Sequence, residues 1–274
     1  MTFADPDWLG LWRELVERAT RYDADAERSR HRAHRLVKDK PDPLVETVCR
    51  MLGPEQTVVE IGPATGRWTL PLARVVRRVT AIDSSPVMIQ RLRHNVAEAG
   101  LDNVDIRKGA WEETDLEPHD AVLGSHSMYA ASDLAAFVLS MQRASRRYCF
   151  LSMRVTSPAG VMAELSRQVH GHSHDSANFV IGYNALLSLG IFPNVLIEPA
   201  VKRWADDSLD AALRRAKRHL HLSEADTRWD AAIHETLARR LFAQDGGLRW
   251  PDWMRSALMW WEVEPEMNVG RGPA

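Results

Sequence analysis

The stretch VVEIGPATGR, residues 58–67, joins an apolar run to a tight turn and decides which fold the sequence predicts. The run ends at Gly62, and a second glycine follows at Gly66, where the helical pattern GRWTLPLARVV begins. Glycine can adopt backbone conformations that are closed to other residues, and Ala64 keeps the middle of the turn nearly as small. The stretch therefore predicts a strand, a turn that passes close to a ligand, and a helix.

Strand and helix patterns alternate on both sides of this turn. Strand patterns are TVVEIG, RVTAID, NVDIRKG, HDAVLGS and RYCFLSMRV, and most are separated by helical patterns. Such alternation implies right-handed crossovers, so we expect an α/β fold with a doubly wound, mostly parallel sheet. Beyond residue 155 the pattern loosens. A helix around 178–190, a strand NVLIEPAVKRW, two helices between 207 and 243 and a last strand SALMWWEV are predicted there.

Composition limits the classes of protein to which the chain can belong. With 274 residues and 45% hydrophobic content, it can form one large domain or a domain with an added cap. The formal net charge of -2 gives no whole-molecule argument for binding nucleic acid or an anionic membrane. Cys49 and Cys149 are typical of buried thiols in a reducing compartment. Because the N-terminus MTFADPDWLG has no signal-peptide pattern and no apolar span follows, we expect a cytoplasmic protein without membrane segments.

Residues 8–38 form a charged, helical pattern that includes Arg28, Arg32 and Arg35. Acidic residues are interleaved with these arginines, which favours a solvated helix face over a nucleic-acid-binding stripe. Nucleic acid is therefore an unlikely partner. The sequence KPDP at 40–43 ends the segment.

Three kinds of nucleotide-binding turn compete for residues 60–68. A phosphate-binding loop needs Gly-Lys-Ser/Thr, whereas Gly66 is followed by Arg67 and Trp68. A dinucleotide fingerprint needs G-x-G-x-x-G, which this turn lacks. What remains is an acid, Glu60, a G-x-x-x-G turn, and a second acid, Asp83, at the end of the second strand.

Three segments, VVEIGPATG, AIDSSPVMIQ and KGAWEETD, resemble in order and spacing the class I S-adenosylmethionine-dependent methyltransferases, particularly the small-molecule branch. The resemblance covers residues 44–155, and the two late strands would complete a seven-stranded sheet. It implies S-adenosyl-L-methionine as cofactor, with Glu60 and the turn from Gly62 through Pro63 and Ala64 to Gly66 against the amino acid moiety. Asp83 would accept hydrogen bonds from the ribose hydroxyls. The other candidate cofactor-binding residues are Ser84, Met88, Ala110, Trp111 and Ser125.

One position departs from the family pattern. The residue after KG is commonly an acid that binds the adenine amine, and here it is Ala110. Trp111 could stack on adenine, with Glu112 as a substitute acid, or it could simply pack at the mouth of the third strand. Asp83 has an alternative role as the cap of the following helix.

The methyl acceptor should approach the end of the fourth strand, at LGSHSMYAASD. The Asn/Asp-Pro-Pro-aromatic segment of amino-methylating nucleic-acid enzymes is absent, and neither cysteine follows a proline. His126 is the candidate general base, because histidine commonly serves that role near neutral pH, and a structural role is the alternative. Tyr129 is a second, weaker catalytic candidate.

The segment HGHSHD places His170, His172 and His174 beside Asp175. These side chains suit a transition metal only weakly because the spacings of structural zinc sites are missing. Substrate contact and a solvated loop are the alternatives, and we predict no metal. Tryptophans at 250, 253, 260 and 261 are interpreted as core and rim.

The predicted organisation has four parts: an N-terminal helical cap (1–43), the cofactor-binding core (44–155), a substrate-covering insertion after strand five (156–192), and C-terminal strands and helices that complete the sheet (193–274). The predicted function is methyl transfer to a small molecule by in-line displacement. Alternatives are methylation of RNA or protein through the arginine-rich helix, and a non-catalytic binding protein, which Ala110 alone suggests. A homodimer is possible.

Overall fold

The structure is a computed structural model and describes residues 6–22, 42–199, 203–251 and 254–263. Its main sheet has seven strands. In chain order they are β1 (Thr57–Ile61), β2 (Arg78–Asp83), β3 (Val104–Lys108), β4 (His119–Ser125), β5 (Ser145–Thr156), β6 (Asn194–Ile197) and β10 (Met254–Glu262).

The strand order is β3-β2-β1-β4-β5-β10-β6. Neighbouring strands from β3 to β5 pair in parallel, whereas β10 runs antiparallel to both β5 and β6. The direction of winding changes between β1 and β4, so the carboxyl ends of these strands border the crevice in which such folds bind ligands. The predicted seven-stranded, mostly parallel, doubly wound sheet is confirmed.

Helices cover both faces of this sheet. One face carries α1 (Trp8–Tyr22), α5 (Leu134–Arg143) and α7 (Phe179–Ser188), and the other carries α2 (Pro43–Met51) and α3 (Thr69–Ala73). Helix α4 (Pro86–Glu98) packs beside β2 and β3. Trp12 of α1 is fully buried against the first face.

A second hydrophobic cluster, built around the buried Trp250, lies outside the main sheet. Three helices contribute to it: α6 (Val161–His170), α8 (Leu209–His219) and α9 (Asp230–Arg240). A small antiparallel sheet joins β7 (Ala205–Asp206), β9 (Gly247–Arg249) and β8 (Phe242–Gln244) in that order. The two helices predicted between 207 and 243 are confirmed.

Some predicted elements differ from the structure. The predicted strand NVLIEPAVKRW, residues 194–204, ends at Ile197, and residues 205–206, just beyond the predicted strand, belong to the small sheet. The loose segment after residue 155 contains α6. Helix α3 begins only at Thr69, because Gly66 has φ of 97° and keeps residues 64–68 in a turn. Arg28, Arg32 and Arg35, with most of the predicted N-terminal cap, lie outside the described residues. Among the described helices, none combines the length and the apolar character needed to cross a membrane.

Candidate functional site

The turn after β1 lies at the carboxyl edge of the sheet and has an unusual backbone. Gly62, Ala64 and Gly66 have φ values of 67°, 49° and 97°. The Gly62 N–H donates to the Ile82 carbonyl at 2.8 Å, and the Gly66 N–H donates to the Pro63 carbonyl at 2.9 Å. A left-handed conformation costs a non-glycine residue about 1–2 kcal/mol, so Ala64 is held there by its surroundings.

Asp83, the last residue of β2, connects this turn to the next one. Its Oδ2 accepts from the Ala64 N–H at 3.3 Å, and its Oδ1 accepts from the Ser85 N–H at 2.8 Å. Burial raises the pKa of Asp83, and these two hydrogen bonds partly oppose the effect. The cap of α4 is Ser85, whose Oγ accepts from the Met88 N–H at 3.4 Å, so the helix-cap alternative for Asp83 is wrong.

Glu60 lies beneath the turn and is only 1% exposed. Its Oε2 accepts from the Thr69 hydroxyl at 2.5 Å. The pKa of Glu60 is raised to about 7, mainly because of burial. The Thr69 hydrogen bond opposes this rise, and the nearby Asp83 adds to it. The group is therefore partly protonated near neutral pH.

The two glycines also meet a packing requirement of the chain itself. A β-carbon on Gly62 would lie 2.8 Å from the Ser127 β-carbon, and one on Gly66 would lie 2.9 Å from Leu92 Cδ1. The close approach that the sequence led us to expect for a ligand is thus made, at these two positions, by other parts of the protein.

The turn after β3 holds the residues predicted near adenine. The Ala110 carbonyl accepts from the Thr114 hydroxyl at 2.6 Å and precedes a single 3₁₀ turn. Trp111 is 7% exposed and packs in the core, which fits the packing alternative, yet its Nε1 is buried without an acceptor among the described residues. Glu112 and Ser84 are exposed and Met88 is half-buried.

His126 follows β4 in a left-handed conformation, with φ of 57°. The backbone N–H of His126 donates to the Ser152 carbonyl at 3.0 Å. Its ring stacks on Tyr129, with the ring centroids 5.8 Å apart. The Tyr129 Oη accepts a hydrogen bond from the backbone N–H of Arg154 at 2.7 Å. The Arg154 guanidinium lies 4.7 Å from the Tyr129 ring centroid. The two predicted catalytic residues therefore lie together, beside an arginine.

Three residues at the carboxyl edge of the sheet were not predicted from the sequence as part of the site. Trp68 donates to the Ser125 Oγ at 2.9 Å, Thr69 donates to Glu60, and Arg154 stacks on Tyr129. The signal for Arg154 was present in the sequence, since it is a charge inside the otherwise apolar stretch CFLSMRV.

Two histidines of HGHSHD, His170 and His172, also contact residues outside this segment. His170 Nε2 donates to the Leu220 carbonyl at 2.9 Å, and His172 Nε2 lies 3.3 Å from Arg18 Nη2. Burial lowers the pKa of His170 and of His174. Across residues 6–22, 42–199, 203–251 and 254–263, no three His, Cys, Asp or Glu side chains are placed to hold a metal ion.

Comparison with known proteins assigns the central segment. Residues 58–147 match the family model described as a methyltransferase domain. Residues 58–147 therefore form a methyltransferase domain. The resemblance noted in the sequence is confirmed for this domain, which spans β1 to the start of β5 and includes Glu60, Asp83 and His126.

Two curated relatives match parts of this chain. A probable ribosomal RNA small subunit methyltransferase A from Methanosphaera stadtmanae is 31% identical over 84 residues, which is 31% of this chain and 31% of that protein. A 23S rRNA (uracil(1939)-C(5))-methyltransferase from Chromohalobacter salexigens is 40% identical over 63 residues, 22% of this chain and 13% of that protein. The chain thus spans a third or less of the length of these curated relatives.

A solved structure from Bacillus halodurans C-125, described as that of a methyltransferase, is similar over a longer range. It has a TM-score of 0.55 at 11% identity, with 81% of this chain and 99% of that chain covered. At this identity the likeness shows that the two proteins share the methyltransferase fold.

The residues of the site fit the cofactor of this methyltransferase family. An ionised carboxylate can accept about four hydrogen bonds, and the described residues use two at Asp83, which leaves capacity for a diol. The buried Trp111 Nε1 is a donor still without an acceptor among the described residues. The turn carries no Gly-Lys pair for phosphates, which S-adenosylmethionine lacks.

Proposed function

We propose that the protein transfers a methyl group from S-adenosylmethionine to a small-molecule acceptor by in-line displacement. The observation that carries the proposal is the position of Asp83 at the end of β2, fixed by the Ala64 and Ser85 N–H groups. A carboxylate held in this way is pre-organised to accept hydrogen bonds from the two hydroxyls of a ribose. When bound, the cofactor supplies a methyl group on a positively charged sulfur.

The chain itself would orient the reactants, exclude water and move a proton. His126 would accept the acceptor's proton if the nucleophile is not already ionised. The Tyr129 oxygen accepts a hydrogen bond from the backbone N–H of Arg154. The hydroxyl proton of Tyr129 therefore remains available for a hydrogen bond to the methyl acceptor. Alignment of the acceptor with the methyl group is expected to supply much of the rate acceleration.

RNA methylation is the second candidate, since both curated relatives are named as ribosomal RNA enzymes. It predicts binding of total RNA whose affinity falls steeply with salt, by about one power of salt concentration per phosphate contacted. Substitution of Arg28, Arg32 and Arg35 should then abolish that binding. We favour the small molecule because acidic residues are interleaved with these arginines in the sequence.

The division into four parts, the cytoplasmic location and a homodimer also belong to this proposal. Cys49 and Cys149 form no disulfide in the structure, which is consistent with the proposed cytoplasmic location. Packing of α1 on α7 supports a covering role for the N-terminal and inserted helices.

Isothermal titration with S-adenosylmethionine and S-adenosylhomocysteine tests the proposal, with NAD and ATP as competing ligands. Binding of the first two, and not of NAD or ATP, is the expected result. Preference for NAD or ATP would reject the cofactor, and RNA binding with the salt dependence described above would reject the acceptor class.

A further inference from the structure

Arg154 lies near the carboxyl end of β5, on the acceptor side of the site. Two residues earlier, Ser152 pairs across the sheet with Ser125 of β4, and its carbonyl accepts from the His126 N–H. The Arg154 side chain reaches Tyr129, whose ring stacks on His126. A group bound by Arg154 would therefore lie close to the candidate base.

The guanidinium of Arg154 is poorly satisfied by the protein. Its hydrogen bonds to the described residues both come from Nη2, at 3.5 Å to the Ser176 Oγ and 3.5 Å to the Ala177 carbonyl. Its Nε is buried and has no acceptor in the described part of the chain. A buried charged donor without an acceptor is destabilising, so the fold keeps this arginine at a cost.

Three other half-buried or buried cations are paired with carboxylates. Arg18 pairs with Glu14, Arg215 with Asp206, and Lys217 with Asp230. No carboxylate of the described residues lies within ion-pair distance of Arg154. The charge also acts on His219, whose pKa falls to about 3, first because of burial and next because of Arg154. Within the described residues, Arg154 therefore differs from these three cations in having no carboxylate as a direct partner.

The guanidinium is also held in a fixed orientation. The guanidinium stacks on the Tyr129 ring, and the backbone N–H of Arg154 donates to the Tyr129 hydroxyl, which holds that ring beside the strand. Tyr129 is itself stacked on Trp12, with centroids 6.0 Å apart. A planar guanidinium fixed in this way can donate two parallel hydrogen bonds, from Nε and one Nη, to a single oxyanion.

We propose that Arg154 binds an oxyanion of the methyl acceptor, a carboxylate or a phosphate, so that the acceptor is an anionic small molecule. The proposal rests on the proposed methyltransferase function and specifies its substrate class. Binding would replace the two 3.5 Å contacts of Nη2, which are at the limit of hydrogen bonding.

The test is a titration of the protein, with and without S-adenosylhomocysteine, using benzoate, phenyl phosphate and benzamide. We expect at least one anion to bind with an affinity that falls with salt, and benzamide to bind at least 10-fold more weakly. The benzoate and phenyl phosphate arms distinguish carboxylate from phosphate. Equal binding of benzamide, or no binding of either anion, would overturn the proposal.

Matched variants locate the binding. Arg154→Gln should weaken anion affinity about 10- to 100-fold, as expected for loss of a charge-assisted bidentate pair. Arg147→Gln is the control, because Arg147 is an exposed arginine of the same strand that stacks on Tyr148 at 4.6 Å. Unchanged anion binding by Arg154→Gln would reject the proposal.

A third variant covers a failure of Arg154→Gln to fold. Arg154→Lys keeps the charge and loses the fork of donors, so it should bind the anion about 10-fold more weakly than the wild type. Wild-type affinity in this variant would reject the bidentate geometry. If S-adenosylhomocysteine does not bind while the anion still depends on Arg154, the proposed function fails and the anion site stands.

Discussion

The indole N–H of Trp68 donates to the Oγ of Ser125 at 2.9 Å. Trp68 is 2% exposed and is the last residue of the glycine turn, whereas Ser125 ends β4. This hydrogen bond therefore connects the turn proposed to hold the cofactor to the strand end proposed to face the acceptor.

Removing the serine hydroxyl should destabilise this connection. Ser125→Ala leaves the buried indole N–H without its acceptor, which should lower the free energy of unfolding by about 1–3 kcal/mol. Urea unfolding of Ser125→Ala, Trp68→Phe and the double variant gives the coupling between the two side chains. A coupling near zero would show that the hydrogen bond contributes nothing.

A comparison of Gly62 with Gly100 separates two reasons for which a position requires glycine, a positive φ and a lack of space for a β-carbon. Their φ values are 67° and 65°, but a β-carbon on Gly100 would meet nothing within 4 Å, whereas one on Gly62 would meet Ser127 at 2.8 Å. Gly100→Ala should therefore cost about 1–2 kcal/mol of stability for the backbone alone. Gly62→Ala should cost a further 1–3 kcal/mol or so, from overpacking.

A variant that removes the Ser127 β-carbon tests whether overpacking against Ser127 causes the extra loss of stability in Gly62→Ala. Ser127→Gly removes the β-carbon that the new methyl group would meet, so it should recover part of the stability lost in Gly62→Ala. Chemical denaturation of the double variant measures the recovery. Equal losses for Gly62→Ala and Gly100→Ala would show that Ser127 has no part in the requirement for glycine.

Asp83→Asn should weaken S-adenosylhomocysteine binding by roughly 1.5–3 kcal/mol, because the hydrogen bonds to the carboxylate are charge-assisted. Asp120→Asn is the control. The Asp120 Oδ2 accepts from the Thr57 N–H at 2.7 Å, so it resembles Asp83 in role but lies at the opposite edge of the sheet. Isothermal titration should show normal affinity for the control, and normal affinity for Asp83→Asn would contradict the ribose assignment.

Glu60 should make stability depend on pH. Because the folded pKa of about 7 lies above the ordinary 4.5, folding favours the protonated form. Its contribution is full below pH 4.5 and is lost as the pH rises to 7, a change of about 3 kcal/mol. Glu60→Gln keeps an acceptor for Thr69 and should remove this dependence in ligand-free protein, whereas the exposed Glu112→Gln should leave it unchanged.

His126→Asn tests the proposed base without disturbing the turn, because asparagine tolerates the left-handed φ of 57°. Methyl transfer, measured as S-adenosylhomocysteine formation with an acceptor found by screening, should fall about 10²- to 10⁴-fold. Cofactor affinity should stay the same. The exposed His94→Asn serves as the control, and full turnover in His126→Asn would leave the histidine with a structural role only.

The sequence predicted the main sheet because its strands are apolar runs that end in recognisable turns, as in residues 57–66. It did not predict β7, β8 and β9, since strands of two or three residues show no periodicity of their own. The strand predicted for residues 194–204 begins at Asn194 as expected but ends at Ile197, because pairing partners, and not local pattern, decide where a strand ends.

In the candidate site, too, some residues could be predicted from the sequence and others could not. Glu60, Asp83 and His126 were identified because each lies in or just after a predicted strand, and parallel strands bring such positions to one edge. The contacts of Trp68 with Ser125 and of Arg154 with Tyr129 join residues 57 and 25 positions apart. Only the tertiary fold creates such contacts, so no local pattern could reveal them.

The position of β10 between β5 and β6 also constrains the order in which the protein can be built. During synthesis β6 leaves the ribosome before residues 198–253, and in the finished sheet its backbone partner is β10. Until residues 254–262 emerge, β6 has no strand to pair with, and β5 has an open edge. The growing chain is therefore exposed to wrong strand pairing until its last described strand is made, although the segment that matches the methyltransferase model, residues 58–147, is made much earlier.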